Sequence, residues 1–128
     1  MANTLYVSTI EKVSGAPVDL TGQSAAKAWV NFNASTAARD SLNISSMTDA
    51  GTGLPQMNFS ASLASADYAL GGSASTDGAD ASSYTFSHRW DDGAQVAPTT
   101  GYCDMLIQNG ALRRDPVYAN AIVHGDLA

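Results

Sequence analysis

Apolar and polar residues alternate with a period of two along most of the chain. In Tyr84-Thr85-Phe86-Ser87-His88-Arg89-Trp90 the even positions hold three aromatics and a histidine, while the odd ones are polar. Such alternation predicts a strand with one buried face. Leu42-Asn43-Ile44, Met57-Asn58-Phe59 and Tyr68-Ala69-Leu70 repeat the pattern over shorter runs. Further on, Cys103, Met105 and Ile107 share one strand face, and Val117, Ala119, Ala121 and Val123 share another. Turn chemistry separates the runs: Asp49 to Gly53, Gly71-Gly72, Asp77-Gly78, Asp91-Asp92-Gly93, Asn109-Gly110 and Asp115-Pro116. Short strands at this spacing predict an all-β fold, a small antiparallel β-sandwich. The alanine-rich stretch from Gln23 to Ala28 invites a helix but runs into the strand formers Trp29-Val30-Asn31-Phe32, so residues 27–33 are expected to be a strand. Ser62 to Asp67 reads as a tight corner.

Three strands are apolar on both sides. Trp29 lies opposite Ala28, Val30 and Phe32; Tyr102 and Leu106 lie opposite Cys103, Met105 and Ile107; Tyr118 and Ile122 lie opposite the Val117 face. Large side chains facing away from a core are covered by loops or buried between subunits. Trp29, Tyr102, Leu106, Tyr118 and Ile122 are therefore the candidate oligomer interface. Residues 1–22 stand apart from the sandwich expected over 23–128. They hold the strand-like run with Leu5, Tyr6, Val7 and Ile10, then the turn Ser14-Gly15-Ala16-Pro17 and Gly22. They read as an anchoring arm or as an edge strand of the same sandwich.

Composition narrows the classes. At 128 residues the chain is one domain. Its 14% charged residues fall well below the roughly 25% of an ordinary domain, and Ser, Thr, Asn, Ala and Gly fill the gaps. Twelve acids against six bases, with only Arg113-Arg114 adjacent, argue against nucleic-acid binding. Apolar runs are far shorter than the roughly 20 residues of a bilayer span. The start Met1-Ala2-Asn3-Thr4 lacks the basic and apolar regions of a signal peptide, and one cysteine forms no intrachain disulfide; synthesis in a reducing cytosol is expected.

Candidate chemistry is sparse, and neither an enzyme nor a cofactor is expected. His88 and His124 sit in no nucleophile motif, and one Cys with two distant His gives no zinc spacing. Asp77-Gly78-Ala79-Asp80 and Asp91-Asp92-Gly93 offer oxygen ligands for calcium without an EF-hand pattern, and Asp-Gly pairs are more often turns. Glu11 is the sole glutamate, which weakens a two-carboxylate glycosidase reading. Residues 71–83 form the longest irregular stretch. With Asp77, Asp80 and the adjoining Tyr84 they are the candidate receptor-facing loop.

The block Ala26-Lys27-Ala28-Trp29-Val30-Asn31-Phe32-Asn33, followed by Arg39-Asp40-Ser41-Leu42-Asn43-Ile44-Ser45-Ser46-Met47-Thr48-Asp49-Ala50-Gly51-Thr52-Gly53, resembles a domain of bacteriophage fibre proteins. The family pattern runs roughly AKAWVNFNG, RDSFNVSSITDNGTGDYTVNF and a DANY-like element; Met57-Asn58-Phe59 and Ala66-Asp67-Tyr68 fall where its later parts belong. The likeness covers residues 24–70. Two departures stand out. Ala34-Ser35 replace the glycine after Asn33, and Leu54-Pro55-Gln56 implies a shortened or edge strand. The resemblance implies a virion structural protein, assembled in the host cytoplasm as a homotrimer. It would be a tail-fibre or fibre-tip component, joined to other virion proteins of tail or capsid and facing a host glycan or protein. A capsid decoration or head-fibre subunit is the neighbouring alternative. A carbohydrate-binding module or polysaccharide-cleaving enzyme is the alternative from another class.

Overall fold

The computed structural model describes residues 26–75, 84–91 and 93–126. The proposed arm over residues 1–22, with Leu5, Tyr6, Val7 and Ile10, lies outside the described residues, as do Asp77 and Asp80.

The strands, in chain order, are β1 (Ala28–Phe32), β2 (Ala38–Leu42), β3 (Ile44–Asp49), β4 (Pro55–Phe59), β5 (Ala69–Ser75), β6 (Tyr84–His88), β7 (Trp90–Asp91), β8 (Ala94–Gln95), β9 (Tyr102–Asn109), β10 (Leu112–Arg113) and β11 (Tyr118–His124). Among the described residues there is no helix, and every strand pairing is antiparallel. One sheet has the order β2-β1-β11-β5. The other has the order β10-β9-β4-β3, with β6 also paired to β9, and β7-β8 form a small ribbon. The fold is the antiparallel β-sandwich that the alternation predicts.

Alternation decides which residues fill the space between the sheets. Ala28, Val30 and Phe32 of β1, Met57 and Phe59 of β4, Cys103, Met105 and Ile107 of β9, and Ala119, Ala121 and Val123 of β11 are all buried there. Leu63 and Tyr68, from the corner between β4 and β5, close one end of this core. The stretch from Gln23 to Ala28 does not extend into a helix where it is described; Ala28 opens β1.

Four local expectations change. Leu42-Asn43-Ile44 is not one strand: Asn43 takes φ 56° and turns the chain from one sheet into the other. Asn tolerates the left-handed region better than most residues. Here its side chain brackets Ala61, accepting from the Ala61 N–H at 2.7 Å and donating to the Ala61 carbonyl at 3.1 Å. Gly71-Gly72 is not a turn either, since β5 runs through both to Ser75 along β11. A β-carbon at Gly72 would come within 2.5 Å of the Phe86 ring and 2.6 Å of the Asn120 carbonyl, so glycine lets β5 and β6 close one side of the sandwich. Pro55 begins β4 without making it an edge: β4 lies between β3 and β9, and Pro55 pairs only with Asp49 on the β3 side. First place in a strand is where a missing N–H does least harm. Finally, the strand expected over 84–90 breaks at Arg89, which puts Trp90 outside the core at 52% exposure.

The glycine absent after Asn33 is replaced by side-chain chemistry. The Asn33 carboxamide oxygen accepts from the Ser35 N–H, the Ser35 hydroxyl and the Ala37 N–H, while Thr36 adopts φ 54°. An Asx-type turn thus joins β1 to β2.

Candidate functional site

The outer face of the four-stranded sheet is built in rows by strand register. Trp29 on β1 stands opposite Leu42 on β2 and Ile122 on β11, and Ile122 stands opposite Gly71 on β5. An apolar row therefore crosses the whole sheet. Leu42 is 48% and Ile122 38% exposed, with Trp29 half-buried between them. The next row is polar: Asp40, Asn31, Asn120 and Ser73. Its amides bond one another, Asn31 Nδ2 donating to Asn120 Oδ1 at 2.5 Å and Asn120 Nδ2 to the Ser73 hydroxyl at 3.4 Å. Beyond it Arg39 lies 4.4 Å over the Tyr118 ring and donates to the Val117 carbonyl at 3.0 Å. That geometry fits a cation–π contact.

Because Gly71, opposite Ile122, carries no side chain, the face sinks beside Ile122. The depression holds about 460 Å³ and is lined by Trp29, Ser73, Asn120 and Ile122, with backbone of Val30, Gly72 and Ala121 in its floor. Its size falls within the range of small-molecule sites.

The five-stranded sheet presents a different outside. Ile107 donates to the Gly53 carbonyl and accepts from the Arg114 N–H, so β4 and β10 share one edge of β9. Arg89 donates to the Asp104 carbonyl on the opposite edge, where β6 runs. Arg113 of β10 reaches across to Asp91 at 2.7 Å and to the Trp90 carbonyl at 3.3 Å. Arg89 holds the other Asp91 oxygen at 2.6 Å. These bonds form a strap over β9. Hydrogen bonds, first from Arg89 and then from Arg113, pull the Asp91 carboxyl below the usual carboxylate range. Burial raises that of Asp104, partly offset by Arg89.

The interface residues expected from two-sided strands thus separate. Trp29, Tyr118 and Ile122 share the outer face of the four-stranded sheet, joined by Leu42. Tyr102 belongs to the other sheet at 37% exposure. Leu106 is corrected outright. It is 4% exposed within the single chain, at the part of β9 that the strap crosses, so it needs no partner for burial. Tyr84 begins β6 and packs, partly buried, against the core. Asp91 has its carboxylate oxygens committed to two arginines, which leaves it poorly suited to calcium. Among the described residues no group of three or more His, Cys, Asp or Glu converges to hold a metal.

Cys103, Tyr68 and His88 cluster inside. The Tyr68 hydroxyl donates to the Tyr102 carbonyl at 3.4 Å, and the His88 ring tilts against Tyr68 at 5.9 Å. Burial pushes the Tyr68 phenol up strongly and the Cys103 thiol up to about 11, and it lowers His88. A thiol raised this way is a packing group, not a nucleophile.

The residues missed by pattern reading were Leu42, Asn31, Asn120 and Ser73. Each is ordinary in its own segment and gains meaning only from register. No family model, curated protein or solved structure matches this chain.

Proposed function

We propose that the chain is a bacteriophage virion structural protein, a tail-fibre or fibre-tip component that assembles as a homotrimer and contributes to host attachment. The observation that carries the reading is the outer face of the four-stranded sheet, where Leu42, Tyr118 and Ile122 stand exposed among the described residues. It combines an apolar row with amides that bond one another, on a chain whose charge is low throughout. Interfaces that persist are depleted of charge and rich in aromatic side chains at their centre. The block that resembles fibre domains also supplies β1, β2 and β3, which span both sheets, so the likeness falls on the framework of the fold. No catalytic residue enters this reading.

A carbohydrate-binding module is the second reading, favoured by the depression, where an aromatic ring stands beside amide and hydroxyl groups. Antibody labelling of intact particles viewed by electron cryomicroscopy tests the first. Label on the tail supports the fibre reading, and label on the capsid moves the protein to decoration. Particles that assemble unlabelled, with the protein left in the lysate, overturn both virion roles.

A further inference from the structure

We propose that the outer face of the four-stranded sheet is where copies of this chain join, with Leu42 of one copy seated in the depression between Trp29 and Ile122 of the next. The inference rests on the homo-oligomeric reading above and names its surface.

Charge points to a second copy as the occupant. The chain carries a net −6, so two copies repel over most of their surfaces. The strands of this sheet hold one arginine, one aspartate and one histidine, and Lys27 stands just before β1. Asp40 is the one carboxylate on the strands of this face, with Arg39 next to it in β2. The acidic excess therefore lies elsewhere, and copies approach here against little like charge. Within the polar row Asn31 bonds Asn120 and Asn120 bonds Ser73, so these amide contacts persist when the face is covered. A sugar site needs the reverse, with amides free to meet hydroxyls.

Shape supplies the second argument. Leu42 projects from the edge strand β2, whereas the depression spans β1, β11 and β5 and Leu42 is not part of its lining. Knob and receptacle are therefore distinct patches. A contact between distinct patches is heterologous and makes a ring where the rotation closes. Three such faces turned toward one axis place the β2 edge of each copy on the β5 half of the next.

The test is a cross-link. The double variant Leu42→Cys with Ser73→Cys places one thiol on the knob and one on the rim of the receptacle, and the native Cys103 is fully buried. Mild oxidation is expected to give a non-reducing ladder ending at three chains, absent from either single variant. Ile122→Glu, at an exposed position, is expected to give folded monomers by sedimentation with an unchanged β-type circular dichroism spectrum. A wild-type oligomer that yields no cross-link and ignores Ile122→Glu overturns this surface and leaves the virion reading standing. A wild type that sediments as a monomer at every concentration overturns the surface and the trimer together. In a Trp90→Phe background, Trp29 emission that responds to bacterial O-antigen polysaccharide but not to dilution gives the face to a glycan and overturns the inference.

Discussion

The two sheets are alike inside and opposite outside. Each gives the core alternate residues of its central strands, Ala28, Val30 and Phe32 on one side and Cys103, Met105 and Ile107 on the other. Outside, the five-stranded sheet is crossed by its own chain. Arg113, Asp91 and Arg89 tie a ribbon over β9, and Leu106 is buried there. The four-stranded sheet has no such cover among the described residues, and its large side chains stand in the open: Leu42, Tyr118 and Ile122. An apolar outer position therefore says little by itself. Leu106 and Ile122 look equivalent along their strands, yet one is 4% and the other 38% exposed.

The first way to break the comparison is to attack what the sheets share. Ile107→Ala should lose about 2–5 kcal/mol, as large-to-small changes at buried sites do. Denaturant unfolding measures it, and a loss under about 1 kcal/mol would mean that the β9 side of the core is loosely packed. Gly72→Ala comes next. The added methyl meets the Phe86 ring and the Asn120 carbonyl, so overpacking of about 1–3 kcal/mol is expected where β5 and β6 approach. An equally stable variant would show that this side has slack.

Smaller effects sharpen the outside contrast. Asn120→Ala removes the middle of the amide row and should reduce monomer stability by about 0.2–1 kcal/mol, as cross-strand pairs do. A larger loss would make the row a structural support of the monomer and not a surface ready to be covered. His88 reports on the other sheet through pH. Burial lowers its pKa in the fold, so below the ordinary value of 6.5 the unfolded chain binds the proton more readily. Stability is then constant above that value and falls as the solution is acidified through it. His88→Gln should flatten the difference in melting midpoint between about pH 7.5 and about pH 5.5; an unchanged slope would assign the effect elsewhere.

The smallest expected effect is on the strap. Asp91→Asn should barely move the melting midpoint, because exposed ion pairs contribute little. It should raise hydrogen exchange at Leu106 and Asp104, beneath the strap. In the wild type the lowered Asp91 pKa keeps the carboxylate charged into mild acid, and its stabilisation is lost only as pH falls through that lowered value. Unchanged exchange would mean that Leu106 is covered by other groups.

Much of the fold was legible in the chain itself. Strand alternation named the inward residues of β1, β9 and β11 correctly, because side chains on a strand take opposite sides whatever their neighbours do. The turns at Asp49 to Gly53 and Asn109-Gly110 were equally local, set by Gly51, Gly53 and Gly110 at positive φ. Errors fell where a local signal had a long-range use. Gly71-Gly72 signals a turn in isolation but serves as close-packed strand against Phe86, and Asn43 reads as mid-strand yet turns the chain between sheets.

The sequence by itself determined the β class, the inward set and the scarcity of charge, all properties of residues and their nearest neighbours. Which outer faces stay open was decided by tertiary structure alone. Cover depends on pairing between residues far apart in the chain, such as Trp29 with Leu42 and Ile122, or Asp91 with Arg113. No period along one strand encodes those partners.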